Sequence, residues 1–225
     1  MMNTQLPLGI TWRDQATFSN FITGENAQLV ESLRATNEKL VFLWGEEGCG
    51  KSHLLQAVCN MPELNAQPVY LPMLELKNMQ PAVLEGMEIM SPVCIDDVHL
   101  VAGNKEWEEA VFHLFNRVRE QSGRMIVSAS GSPANINIQL PDLVTRLGWG
   151  TVYQVKPLSD EGKKIALQQR AQYRGLQLPD EVVEFVLRRS SRDTNSLFQL
   201  LDRLDIASLV EQRKLTIPFV KQYLQ

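Results

Sequence analysis

From Phe18 onward, short apolar runs alternate with stretches whose apolar residues recur at helical spacing. Leu40, Val41, Phe42, Leu43 and Trp44 form one unbroken apolar run, the pattern of a strand buried on both faces. Residues 51–61 continue as a helix, and the runs 68–71 and 92–95 predict two further strands. Trp107, Ala110, Val111, Leu114 and Val118 then repeat with the 3.6-residue period of a helix. The runs 125–127 and 152–155 complete the strands. Strands alternating with helices imply a parallel sheet with right-handed crossovers.

The pattern changes after Lys156-Pro157. Segments 160–174, 180–189, 195–212 and 217–224 read as helices, with Leu197, Leu200, Leu201 and Leu204 on one face. Pro179-Asp180-Glu181 and Ile217-Pro218 suit helix starts, because proline is tolerated in a first turn. At the other end, residues 1–16 are polar and broken by Pro and Gly, with an isolated Leu6-Pro7-Leu8, and read as a flexible arm. The expected organisation is therefore an arm (1–16), an α/β domain (17–157) and a small all-helical domain (158–225).

Composition narrows the class without naming a function. Hydrophobic residues make up 44% and charged residues 21%, a globular balance. No apolar run approaches the roughly 18 residues that a membrane-spanning helix needs. The start lacks a basic stretch followed by an apolar run, so no secretion is expected. Cys49, Cys59 and Cys94 show no C-x-x-C spacing, which fits reduced thiols in the cytoplasm. The three histidines show no metal-ligand spacing. Net charge is −4 overall, with −6 carried by residues 1–157 and +2 by residues 158–225, so neither part is basic enough to imply nucleic-acid binding from charge alone.

The chemistry is concentrated in Gly45-Glu46-Glu47-Gly48-Cys49-Gly50-Lys51-Ser52, which satisfies G-x-x-x-x-G-K-[ST] between a strand and a helix. Glycines let backbone N–H groups of Gly48, Cys49 and Gly50 curl around phosphate oxygens, and the helix start adds its positive end. Lys51 would neutralise β- and γ-phosphates, and the Ser52 hydroxyl would ligate Mg²⁺. Val93-Cys94-Ile95-Asp96-Asp97 is the expected partner: Asp96 would hold Mg²⁺ through water, and Asp97 would orient or activate the attacking water. Arg146, just before the last strand, is of the type that stabilises γ-phosphate charge from a neighbouring subunit; the alternative is a solvated loop charge. His53, on the first helical turn beside the nucleotide, reads as a packing or capping residue, and His99 and His113 as structural.

These residues, with Ser128-Ala129-Ser130, Arg146-Leu147-Gly148-Trp149-Gly150 and the trailing helices, resemble the AAA+ domain of the bacterial replication initiator DnaA. The resemblance covers about residues 16–225 and implies a P-loop αβα domain with a helical lid, binding ADP or ATP with Mg²⁺. It implies Phe18, Phe21 and Ile22 as neighbours of the base, although all three could instead pack under the sheet. By an ungapped match the lid's second sensor, an Arg in this family, falls on Asn195, with Arg192 one turn away. Asn supplies no charge to a γ-phosphate, which implies weak intrinsic ATPase activity at most. The initiator's DNA-reading helix-turn-helix domain has no counterpart here, so no sequence-specific DNA-binding domain is expected.

A short initiator-like chain with an N-terminal arm resembles the regulatory-inactivator branch of this family. Gln5-Leu6-Pro7-Leu8 is similar to the Gln-Leu-x-Leu peptide that docks on the sliding clamp of DNA polymerase III: Leu6 and Leu8 would be apolar anchors and Gln5 a hydrogen-bonding group at the rim. The resemblance implies a likeness in partners too: a DnaA-type initiator, the sliding clamp and further copies of this chain, with no membrane. The leading expectation is a cytoplasmic regulator that stimulates ATP hydrolysis by the initiator, with Arg146 supplied in trans. The alternatives are an autonomous AAA+ ATPase of the helicase-loader type and, last, a small P-loop kinase.

Overall fold

The structure, a computed structural model, describes residues 16–62, 67–189 and 194–224. Strands β1 (Leu40–Trp44), β2 (Val69–Pro72), β3 (Val93–Asp96), β4 (Met125–Ala129) and β5 (Thr151–Gln154) form one sheet in the order β2-β3-β4-β1-β5. Every pairing is parallel, as the alternating pattern predicts. Helices α1 (Ala27–Ala35), α2 (Lys51–Cys59), the single turn α3 (Met73–Leu76), α4 (Lys105–Glu120) and α5 (Pro141–Leu147) connect or precede these strands.

Strand alternation sets the layers. Phe42, Val93, Ile95, Met125 and Val127 point to one core, closed by Trp107 and Leu114 of α4 and by Leu143 and Leu147 of α5. Val41, Leu43, Cys94 and Ile126 point to the other, closed by Leu29 and Leu33 of α1 and by Leu54, Leu55 and Val58 of α2. A third core lies among α6 (Asp160–Tyr173), α7 (Asp180–Arg189), α8 (Thr194–Glu211) and α9 (Ile217–Val220). Leu197, Leu200, Leu201 and Leu204 are all buried there, on the face that their spacing marks out.

Three expectations are corrected. Residues 141–147 form helix α5, so Arg146 stands on the last turn of a helix rather than in a loop. Pro141 occupies the first turn and Asp142 favours its positive end, while Leu143 and Leu147 bury one face. The last helix stops at Val220, because beyond the buried Phe219 and Val220 the chain tightens into i→i+3 bonds from Gln222 to Phe219 and from Tyr223 to Val220. Ala16, assigned to the arm, is buried, and its carbonyl accepts from the Asn60 side chain at 2.9 Å.

One buried carboxylate joins the loops on the α4 side. Glu108 is 1% exposed and accepts the backbone N–H groups of Gly103 (2.7 Å), Gln139 (3.0 Å) and Leu140 (2.7 Å). Replacing it by Ala strands three donors and should cost about 3 kcal/mol in urea unfolding. A loss below about 1 kcal/mol would show that those loops hold themselves.

Candidate functional site

The loop after β1 is shaped by its glycines. Gly48 and Gly50 take φ of 76° and 103°, the left-handed region that side chains disfavour. A Cβ on Gly45 would lie 2.6 Å from the Val155 carbonyl oxygen, and one on Gly50 would lie 2.8 Å from the Phe21 ring. Helix α2 starts at once, and no side chain caps its first turn at Gly50. Its positive end is therefore open to an anion.

Lys51 is 7% exposed, and its Nζ donates to the carbonyl oxygens of Gly45 (2.9 Å) and Glu46 (3.0 Å). Among the described residues no carboxylate lies within 4.0 Å of it to form a salt bridge. A buried cation held by neutral acceptors, the two carbonyls and the Cys49 Sγ at 4.0 Å, favours an added anion. The residues present thus fit a phosphate group. The neighbouring Cys49 thiol is pushed up by burial, which outweighs the Lys51 charge and keeps it protonated.

The parallel register brings a second cluster to the same end of the sheet. Asp96, at the end of β3, accepts from the Tyr70 hydroxyl at 2.6 Å and from the Ser128 hydroxyl. Ser128 Oγ in turn accepts the Asp97 backbone N–H at 2.8 Å. Burial and the Asp96 charge push the Tyr70 phenol well up, so it stays a donor. Asp97 has φ 55°, which turns it out of the strand's extended path. Its carboxyl is pushed up by burial first and by Asp96 second, with the Lys51 charge opposing.

His99, which the sequence reads as structural, has partners at this end of the sheet. Its Nδ1 lies 3.9 Å from Asp97 Oδ1 and accepts the Ser130 backbone N–H at 3.3 Å. Burial holds this imidazole below its ordinary value, so the neutral, accepting form is favoured. The sequence alone does not single out Tyr70, and it brings in Ser128 only within the Ser128-Ala129-Ser130 resemblance. Among the described residues no group of three or more His, Cys, Asp or Glu forms a metal site.

The entering chain packs beside the loop. The Phe21 ring contacts Gly50 and lies 5.4 Å from the His53 ring, while His53 Nε2 is 3.0 Å from the Thr17 carbonyl oxygen. Phe18 and Phe21 both pack on the α1–α2 core, and Ile22 is half-buried. Ser52 follows Lys51 on the first turn of α2, half-buried. Asn195 stands on the first turn of α8, also half-buried. Gln5, Leu6, Leu8 and Arg192 lie outside the described residues.

Arg146 is elsewhere. Thr151 pairs with Val41, and the Gly150 backbone closes on Leu40, so the segment 146–150 meets β1 at its start. The phosphate loop leaves β1 at its end, roughly 13 Å further along a five-residue strand. The Arg146 guanidinium carbon lies 3.9 Å from the Trp149 ring centre and 5.8 Å from that of Phe112.

The strand order, the glycine loop and the acidic end of β3 define a P-loop αβα fold followed by a helical lid. Residues 73–154 match the family model of the bacterial DnaA ATPase domain, and residues 160–224 match that of the Hda lid domain. Domain III of DnaA from Thermotoga maritima superposes with a TM-score of 0.81 at 20% identity, over 94% of this chain and 96% of that one. AMPPCP-bound DnaA from Aquifex aeolicus gives 0.69 at 20% identity, over 87% of this chain and 67% of that one. The RuvB Holliday junction branch migration motor of Thermotoga maritima gives 0.69 at 17% identity, over 92% and 70%. The chain is an Hda- and DnaA-like AAA+ protein. Among the described residues no helix is long and apolar enough to cross a membrane.

Proposed function

We propose that the chain is a cytoplasmic regulator of replication initiation, which stimulates ATP hydrolysis by a DnaA-type initiator while docked on the DNA sliding clamp. The observation that carries this reading is the position of Arg146. It lies at the end of the sheet away from the chain's own phosphate loop, with no carboxylate partner among the described residues. A guanidinium so placed can serve a nucleotide held by a neighbouring subunit, where charge shifts as phosphoryl transfer proceeds.

The chain's own site would hold ADP or ATP. The backbone of Gly48, Cys49 and Gly50 and the Lys51 ammonium would bind phosphates, and Phe18, Phe21 and Ile22 would flank the base. Asn195 on α8 would approach the nucleotide from the lid without contributing charge. Ser52 and Asp96 would hold Mg²⁺, which supplies charge neutralisation on the phosphates. Asp97 beside this loop supports a second reading, an autonomous ATPase in which that carboxylate orients water. With the uncharged Asn195 at the lid's sensor position, such turnover would be slow.

Docking on the clamp would use Gln5, Leu6 and Leu8 as an extended peptide in an apolar pocket. Deleting residues 1–9 should leave the melting temperature within about 2 °C, because an arm adds little to a core. The same deletion should abolish clamp binding in surface plasmon resonance, and with it the stimulation of the initiator. Full clamp affinity in the shortened chain would refute the docking role.

A further inference from the structure

Trp149 is 52% exposed, a costly position for an indole, and two cations share its ring. The guanidinium carbons of Arg146 and Arg119 lie 3.9 Å and 4.9 Å from its centroid. Among the described residues neither Arg has a carboxylate within 4.0 Å, so no ion pair fixes either one. One neighbouring ring packs on the indole, and two contacts hold the backbone that carries it. The Trp149 backbone N–H donates to the Arg146 carbonyl at 3.1 Å, closing the turn that brings the two side chains together. Phe115 meets its ring edge-on at 6.3 Å between centroids. Gly150, the next residue, lies so close to Leu40 that a Cβ there would overlap the Leu40 carbonyl oxygen.

We propose that Trp149 is the positioning residue of Arg146: a ring packed against α4, on a backbone held at the start of β1, on which the guanidinium is stacked before any partner arrives. This rests on the reading that Arg146 acts in trans. A free Arg side chain has many rotamers, and ordering it only at the encounter would cost rate. Stacking on an indole orients the planar fork while leaving its N–H donors in the ring plane free for phosphate oxygens. The second cation, Arg119, reinforces the positive field around the same ring.

The test compares Trp149→Phe, Trp149→Ala and Arg146→Ala in the full chain, measuring initiator ATP hydrolysis against the concentration of this protein. Trp149→Ala should lower the maximal stimulated rate roughly fivefold, as the loss of an exposed cation–π contact implies. Its half-saturating concentration should change less than about threefold, and its ADP affinity not at all. Trp149→Phe, which keeps a π-face, should recover most of the rate. A maximal rate unchanged in Trp149→Ala, or a loss seen only in half-saturation, would overturn the positioning role, as would a Phe variant no better than Ala. Arg146→Ala separates the two levels: if it keeps full stimulation the trans reading fails, whereas if it alone fails only the role of Trp149 falls.

Discussion

Arg146→Ala is expected to lower stimulated hydrolysis on the initiator by roughly 10³-fold or more, the scale of an Arg supplied in trans in GTPases. The substitution should hardly touch the fold. Arg146 is half-buried on the last turn of α5, and its contacts are rings rather than carboxylates. Losing an exposed cation–π contact costs about 0.5–1 kcal/mol, so the melting temperature should fall by less than about 4 °C. ADP binding should be unchanged, because the residue meets β1 at the end away from the loop that follows Trp44. Stopped-flow phosphate release with pre-bound initiator ATP, alongside calorimetric ADP titration, checks both halves. Normal stimulation by the variant would reduce Arg146 to a surface charge and nothing more, and a loss of ADP binding would place the Arg in its own site.

The second large effect concerns Lys51. Replacing it by Ala removes the ammonium that is held inside the loop by the carbonyls of Gly45 and Glu46. A charge-assisted contact to phosphate is worth about 1.5–3 kcal/mol, which corresponds to a ten- to hundredfold loss of ADP affinity. The loss should exceed that from Ser52→Ala for ADP alone, because the hydroxyl acts through Mg²⁺ and not on the phosphates directly. Isothermal calorimetry showing unchanged ADP affinity would refute the phosphate-loop assignment.

The phosphate loop was legible because its requirements are local. An apolar strand, glycines at the turn and a following helix all fall within about 20 residues of sequence. The acidic strand end was legible in the same way, as Asp96-Asp97 after Val93-Cys94-Ile95. What surrounds it was not. Tyr70 reaches Asp96 because β2 lies beside β3 with Pro72 opposite Asp96, and Ser128 reaches it because Ile95 lies opposite Val127. That register is a property of the assembled sheet, and one strand read alone does not contain it. The partners of His99 were hidden for a related reason: Asp97 and the Ser130 N–H come together where β3 and β4 end. Helix α5 did carry a local signal, Pro141-Asp142 with Leu143 and Leu147 four apart, but its seven residues are short beside the flanking strands. The lid helices were legible from leucine spacing, which needs no knowledge of the neighbours.

The central claim is that this chain acts on a nucleotide other than its own. It is tested most directly by loading the initiator with γ-labelled ATP and this protein with unlabelled ADP, then mixing them with clamp-loaded DNA. The label on the initiator should be released as phosphate in a single turnover, at a rate that rises with the concentration of this protein and collapses when the clamp is omitted. Release at the initiator's unassisted rate, with this protein and the clamp both saturating, would contradict the account.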